Sequence, residues 1–319
     1  MFAMGGSILS KESELKRQFN KNMKKNRGNI KGQIITIIIF GIIALVSSKL
    51  GLLDNFSNNN INTSANGSVE ISYLDVGQGD AAYIRVNDKD ILIDAGPRSD
   101  VDKLLKQLKE KNIDDFEIVI ATHPHEDHIG GMVKVFENYK VESFYMPNAT
   151  NTTKTFENMV KSVKNEGIKS QVIKEGTFID LGDGAKVEVY SPISESYDDF
   201  NNYSPIMKLT YGNNSFLFTG DAEVLEEKEV LAKYSKELDA DVIKFGHHGS
   251  STSSSDEFIK AVSPTYGIIS CGIDNSYGHP HRETLAIIEK YNIKPYRTDK
   301  NGEITISSDG NNINIKTEK

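Results

Sequence analysis

The sequence predicts an α/β protein: a four-layer sandwich of two mixed sheets packed face to face, helices outside, preceded by one membrane-spanning helix. Three observations predict it. Short β-rich runs alternate with amphipathic helical runs in two successive sets, and each set needs a sheet with helices on one side to bury its apolar residues. Apolar residues make up 38% and charged residues 26% of the 319-residue chain, which suits a packed core and excludes wholesale disorder. One mainly apolar stretch, residues 34–53, matches a bilayer in length.

Residues 1–33 carry eight Lys and Arg against Glu12 and Glu14 and read as a basic cytoplasmic segment. Residues 34–53 hold one charge, Lys49, close enough to the end for its stem to reach the interface. A helix of that length spans ~30 Å. The basic flank directs the N-terminus to the cytoplasm and everything after Leu53 to the outside. A long basic region and the lack of an A-x-A site favour an uncleaved anchor over a signal peptide. Residues 54–68, DNFSNNNINTSANGS, have no hydrophobic period and read as a flexible linker. Residues 69–319 form the predicted globular domain.

In that domain, VEISYLDV (69–76), AAYIRV (81–86) and DILIDA (90–95) read as strands joined by turn residues. VDKLLKQLKEKNI (101–113) places Val101, Leu104, Leu105 and Leu108 on one helical face. EIVIAT (117–122) is a buried strand. A second set comprises KVEVYS (186–191), IMKLTY (206–211), SFLFTGD (215–221), a helix from Glu223 to about Leu238, DVIKFG (241–246), a helix near 255–262, YGIISCG (266–272) and a helix from Arg282 to Tyr291. ITIS (304–307) and NINIK (312–316) close the chain as strands. No short-period repeat is present. The single cysteine, Cys271, excludes an intramolecular disulfide framework and any Cys-rich zinc module.

Chemistry concentrates in three clusters that hold all seven histidines. His123-Pro-His125-Glu-Asp127-His128 directly succeeds the strand 117–122. Imidazole and carboxylate are ligands for zinc, manganese or iron. His123 and His125, two residues apart on extended chain, project the same way and can grip one ion, while Asp127 and His128, past the turn, reach a second. Gly130-Gly131 permits close packing where the next helix begins. FTGD ends another strand with Asp221, placed to bridge two ions and also suited to cap a helix. KFGHHGS (244–250) ends a third with His247 and His248, and CGIDNSYGHPH (271–281) brings His279 and His281. His281 belongs to the first turn of the last helix rather than to the ligand set.

HPHEDH, with LIDAG (92–96) upstream and FTGD downstream, resembles the metallo-β-lactamase superfamily of αβ/βα hydrolases. LDVGQGDAA (74–82), THPHEDHIGG, NNYS (201–204), FTGDAE, KFGHHGS and YGHPH, in this order over roughly 69–310, are similar to the extracellular β-lactamase-like domain of ComEC competence proteins. The resemblance implies His123, His125, Asp127, His128 and Asp221 as metal ligands, with His248, His247 or His279, in that order, completing the shell. It implies that Asp94 orients a ligand histidine through its other ring nitrogen. The chain departs from the superfamily in having no histidine from 129 to 246, where Asn201 and Ser204 stand. It also lacks the many membrane helices of a DNA-uptake channel and the long arms of processing nucleases.

The chemistry expected is hydrolysis by water acidified between two divalent ions, Zn2+ or Mn2+. Asp127 or Asp221 orients that water, and whichever of His247 and His279 is not a ligand protonates the leaving group. Asn201, Ser204 and Ser250 are candidate substrate contacts, with the serine run to Ser255 offering donors to a phosphate at a helix N-terminus. The resemblance favours a phosphodiester, with DNA and a competence or cell-envelope machinery as partners. Charge points elsewhere. Residues 1–68 hold nine of the 37 Lys and Arg and three of the 45 Asp and Glu, which leaves residues 69–319 at −14. Nonspecific nucleic-acid binding rests on cations neutralising phosphates, and here only local residues such as Lys208, Lys244 and Arg282 are candidates. A small or cell-envelope phosphoester and a non-catalytic metal-stiffened binding module are the alternatives; a β-lactam or lactone substrate fits the motif set less well.

Overall fold

The computed structural model describes residues 67–319. The expected anchor at 34–53 and its flanks lie outside the described residues. No helix among the described residues is long and apolar enough to cross a membrane.

The first sheet runs through β1 (Val69–Tyr73), β2 (Ala82–Val86), β3 (Lys89–Ile93), β4 (Asp115–Ile120), β5 (Lys140–Met146) and β6 (Lys169–Val172) in spatial order. The second is laid down next, by β7 (Phe178–Gly182), β8 (Ala185–Val189), β9 (Met207–Tyr211), β10 (Asn214–Phe218), β11 (Val242–Lys244), β12 (Tyr266–Ile269) and β13 (Lys294–Arg297). The last two strands, β14 (Ile304–Ser308) and β15 (Ile313–Thr317), return to the first sheet, where β14 pairs antiparallel with β1 in the register Ile71↔Ile306.

Alternation explains the layers. Ala82, Ile84 and Val86 of β2 face a core shared with Phe216 and Phe218 of β10, while Tyr83 and Leu217 face outward. Strands apolar on both faces are what a sheet covered on both sides requires. Leu104 and Leu108 of α1 (Val101–Glu110) pack on the outer face of the first sheet. They are joined there by Ile129 of α2 (Glu126–Ile129), residues of α3 (Met132–Asn138), and Phe156, Met159 and Val163 of α4 (Lys154–Asn165). The outer face of the second sheet is covered by α5 (Val224–Tyr234), α6 (Asp256–Val262) and α7 (Arg282–Lys290); α8 (Thr298–Asn301) is a single turn. The four-layer expectation therefore holds for the described residues. The stretch 132–185, where the sequence pattern placed only a helix beginning beyond Gly131, carries α3, β5, α4, β6 and β7. KSQV of β6 is a largely exposed edge strand, so no apolar alternation announces it. The helix expected from Glu223 to about Leu238 stops at Tyr234.

Pairing directions determine where the strand ends gather. β3–β4–β5 are mutually parallel, as are β10–β11–β12–β13, so their C-terminal ends open on the same side within each sheet. That edge is where open α/β sheets place ligands.

Candidate metal centre

Two of the three histidine clusters begin three residues after a parallel strand stops, at His123 and His247. After β4 the backbone bends at His123 and Pro124, is extended at His125 and then enters the short α2, which carries Asp127 and His128. The loop is tied down by Ala95 N–H to His128 O (2.8 Å), Asp80 N–H to Asp127 O (3.1 Å) and Gly131 N–H to Gly96 O (3.1 Å). Glycine is required there by closeness: a Cβ on Gly130 would lie 2.3 Å from Arg98 N, and one on Gly131 2.3 Å from Ala95 O. In the second sheet Asp221 comes just after β10. After β11, His247, His248 and Gly249 take positive φ in succession (48°, 54° and 83°). Two bulky non-glycine residues in that region cost of order 1–3 kcal/mol each, and the turn they make aims His248 back over the strand ends.

The side chains converge on Asp221. Its Oδ2 lies 3.2 Å from His128 Nε2, 3.4 Å from His248 Nε2, 3.8 Å from His247 Nε2 and 3.9 Å from His123 Nε2. Asp127 Oδ2 lies 3.2 Å from His248 Nε2 and 4.0 Å from His128 Nε2. One ligand atom each from Asp127, His128, Asp221 and His248 falls within 4.8 Å of the others. Beside this group His123 Nε2 and His125 Nδ1 face each other at 3.0 Å. Asp94, behind the cluster, sits 2.8 Å from His128 Nδ1 through Oδ2, and accepts from Thr122 N–H (2.8 Å) and Thr122 Oγ1–H (2.7 Å). This bonding directs His128 Nε2 toward Asp221. Ser204 is fully buried and accepts the Asp221 N–H at 3.0 Å, so it backs the carboxylate instead of facing substrate.

Two buried charges to which the motifs gave no such role lie beneath. Lys244 Nζ contacts the Asp80 carboxylate and the carbonyls of Gly220 and Phe245 (3.2 Å each). Asp80 Oδ1 stands 3.3 Å from His248 Nδ1, which also meets Ser270 O at 3.0 Å. The expectation that Lys244 reaches substrate is thus corrected, because its ammonium is spent on Asp80. A signal was available: Asp80 and Lys244 are lone charges next to or within apolar strands, and buried charges occur in pairs.

An open cleft of about 560 Å³ lies over the cluster, lined by His125, Asp127, Asn201, Asp221, His247, His248 and His279 among others. Asn201 carries a buried Oδ1 with no hydrogen-bond partner. Ser250 is not in the cleft: its buried hydroxyl bonds to Thr252 Oγ1 at 3.1 Å. Two of the expected phosphate donors beyond it are taken as well. The N–H groups of Ser254 and Ser255 donate to the buried carboxylate of Glu227, which already caps the N-terminus of α6. Among the described residues no Lys or Arg lines the cleft; Lys208 reaches Glu237 O, and exposed Arg282 pairs with Glu283. His281 precedes α7 as its cap residue, outside the cluster.

Electrostatics fit the ligand types. Burial alone would lower the pKa of His128 and His248, yet the carboxylates of Asp221, Asp94 and Asp127 hold His128 well above its usual value. Asp221 and Asp80 raise His248 to about 10. His123, buried beside His128, is pushed well below. The negative potential at the centre thus demands positive charge. His128 Nε2 and Asp221 Oδ1 are buried without hydrogen-bond partners, and unpartnered ligand atoms around a carboxylate cluster suit a divalent cation. Among the described residues this donor set fits such an ion.

Fold and site together define a metallo-hydrolase scaffold. Residues 74–273 match the family profile of the metallo-β-lactamase superfamily, and the chain belongs to that superfamily. It is 31% identical over 253 residues to ComE operon protein 3 of Bacillus subtilis (strain 168), covering 74% of this chain and 32% of that protein. It is 27% identical over 235 residues to competence protein ComA of Neisseria gonorrhoeae, covering 73% of this chain and 31% of that protein. The chain thus spans about a third of the length of these relatives. The metallo-β-lactamase fold protein YhfI from Bacillus subtilis superposes with a TM-score of 0.52 at 12% identity, covering 76% of this chain and all of that one, a likeness of fold.

Proposed function

We propose that this chain is a membrane-anchored, extracellular metal-dependent phosphodiesterase that cleaves DNA, with two divalent ions that residues around Asp221 would hold. One observation carries the reading: a single carboxylate oxygen of Asp221 stands within 4 Å of nitrogens from four histidines drawn from both sheets. His123 and His125 would hold one ion, Asp127, His128 and His248 the other, and Asp94 would fix the His128 ring. When bound, such ions supply Lewis acidity toward a phosphoryl oxygen and acidify water. Asp127, with its side chain one-third exposed, accepts a hydrogen bond from the attacking water and orients it. Gln78 Nε2 lies 3.4 Å from His279 Nδ1, so an amide N–H donated there leaves the ring proton on Nε2. Burial and the neighbouring His248 and His247 lower the His279 pKa to about 4, which suits a hydrogen-bond donor to the phosphoryl group rather than an acid. His247, at the cleft surface, is then the group that protonates the leaving oxygen. Asn201, whose free amide oxygen lies at the cleft, would help to hold the first ion where the superfamily's usual histidine is missing.

The names of the competence relatives support DNA and an uptake machinery as substrate and partner, and the apolar run at 34–53 supports the anchor. The acidic domain and a cleft without Lys or Arg favour a second reading, hydrolysis of a small or cell-envelope phosphoester.

The test loads the full chain with Mn2+ or Zn2+ and compares cleavage of end-labelled single-stranded DNA with that of a small phosphodiester. Asp127→Ala and Asp221→Ala should each lower turnover by about 100-fold or more, since disturbing groups that merely support metal ligands already costs 10–100-fold. Full turnover in both variants sinks the two-ion reading. Cleavage of the small ester alone moves the function to the second reading, and inactivity on both substrates leaves a binding module.

A further inference from the structure

Tyr277 stands out among the exposed large side chains because it lines the cleft with its surface 65% exposed. A mobile loop does not explain this, since the backbone around it is clamped. Asn275 donates from Nδ2 to Gly272 O (3.0 Å) and His279 O (2.7 Å) and accepts the His279 N–H (2.9 Å). His281 accepts Ser251 N–H at Nδ1 (3.0 Å), which leaves its Nε2 to donate to Tyr277 O (3.0 Å). These bonds hold the ring out from the loop. It lies nearly parallel to His279, with centroids 5.6 Å apart and planes at 19°. His279 in turn lies 6.1 Å and 28° from His248. A ladder of three flat rings leads from solvent to the cluster at Asp221.

Charge says what such a platform is for. A strand held by phosphate contacts needs Lys and Arg, and neither lines this cleft in a domain of net charge −14. Affinity beyond the reacting phosphate must come from uncharged surface, and every nucleobase has a flat face to offer.

We propose that Tyr277 is a stacking platform for a base of single-stranded nucleic acid flanking the scissile phosphate; this rests on the phosphodiesterase reading above. The outer face of the ring takes the base, while the clamped loop sets the distance from that base to the ions. The platform recognises a base without reading which base it is, so sequence preference is weak.

The experiment uses the full chain with Mn2+ and two short single-stranded oligonucleotides, one normal and one with abasic residues flanking the cleaved bond. The parent should prefer the normal strand. Tyr277→Ala should erase about 5- to 150-fold of that preference in kcat/KM, the range a base–aromatic stack supplies. Tyr277→Phe and Tyr277→Trp should keep it. KM of the parent should change little between ~50 and ~200 mM salt, because few phosphates are neutralised. Equal losses on normal and abasic strands in Tyr277→Ala would assign the ring to the sugar or to the loop and overturn the proposal. A preference untouched by Tyr277→Ala would do the same while leaving the nuclease intact. A parent that cleaves only a small ester overturns the nuclease reading itself and the platform with it.

Discussion

Asp80 and Lys244 are both nearly inaccessible to water, and each offsets the buried charge of the other. Removing one partner of a buried pair typically costs ~3–5 kcal/mol. Lys244→Met should therefore lower unfolding stability by roughly that amount, and Asp80→Asn combined with Lys244→Met should lose less than the two single variants summed, as contacting residues do in double-mutant cycles. Denaturant unfolding of the four proteins measures the coupling, and strict additivity would dissolve the pair. Glu227 gives a pH signature at the same scale. Burial raises its carboxyl from 4.5 to about 7 despite the N–H donors of Ser254 and Ser255. Between those values the unfolded chain releases the proton while the folded protein keeps it. Stability contributed by this group therefore falls as pH rises from 4.5 to 7, by on the order of 3 kcal/mol. Glu227→Gln should flatten that part of the stability–pH curve; an unchanged slope would show that Glu227 does not titrate this way.

At the scale of elements, the amphipathic run 101–113 forms α1, but burial within it is uneven. Leu104 and Leu108 are fully buried, while Leu105 is partly exposed. Leu104→Ala should cost ~2–5 kcal/mol, and Leu105→Ala clearly less, as thermal or urea midpoints will show. The site depends on elements in another way. Asp94, His123, Asp221 and His247 each sit within three residues of a strand end, which combines a rigid base with free backbone. Clusters after β4, β10 and β11 were legible for that reason: histidine and aspartate directly after an apolar run are conspicuous. Asp80 and Lys244 were less so, since their meaning depends on a partner 164 positions away in the numbering. The serine run after His248 read as a phosphate site from local pattern alone. In the fold, a carboxylate from α5 already occupies that position.

For the whole molecule, Asp80, Asp94, Asp127 and Asp221 gather in one region where, among the described residues, histidines and Lys244 offset them. A divalent cation should accordingly stabilise the folded state. At a hundredfold excess over its Kd the gain is ~2.7 kcal/mol, or about 5–10 °C in melting temperature. Zn2+ or Mn2+ added to chelator-treated protein should produce that rise, and Asp221→Ala should lose most of it. A parent whose melting temperature ignores both metals would exclude the centre.

Local pattern by itself determined most of the strands and helices outside 132–185, the three histidine clusters and the acidic character of residues 69–319, because periodicity, strand ends and charge are properties of neighbours in the chain. Only the tertiary structure decided that β14 and β15 return to the first sheet, that Lys244 faces Asp80 and not a substrate, that Ser250 turns away from the cleft, and that Tyr277 stands at its rim. Those outcomes are contacts between segments distant in sequence, and their free energy exists only once both sheets have closed over a common core.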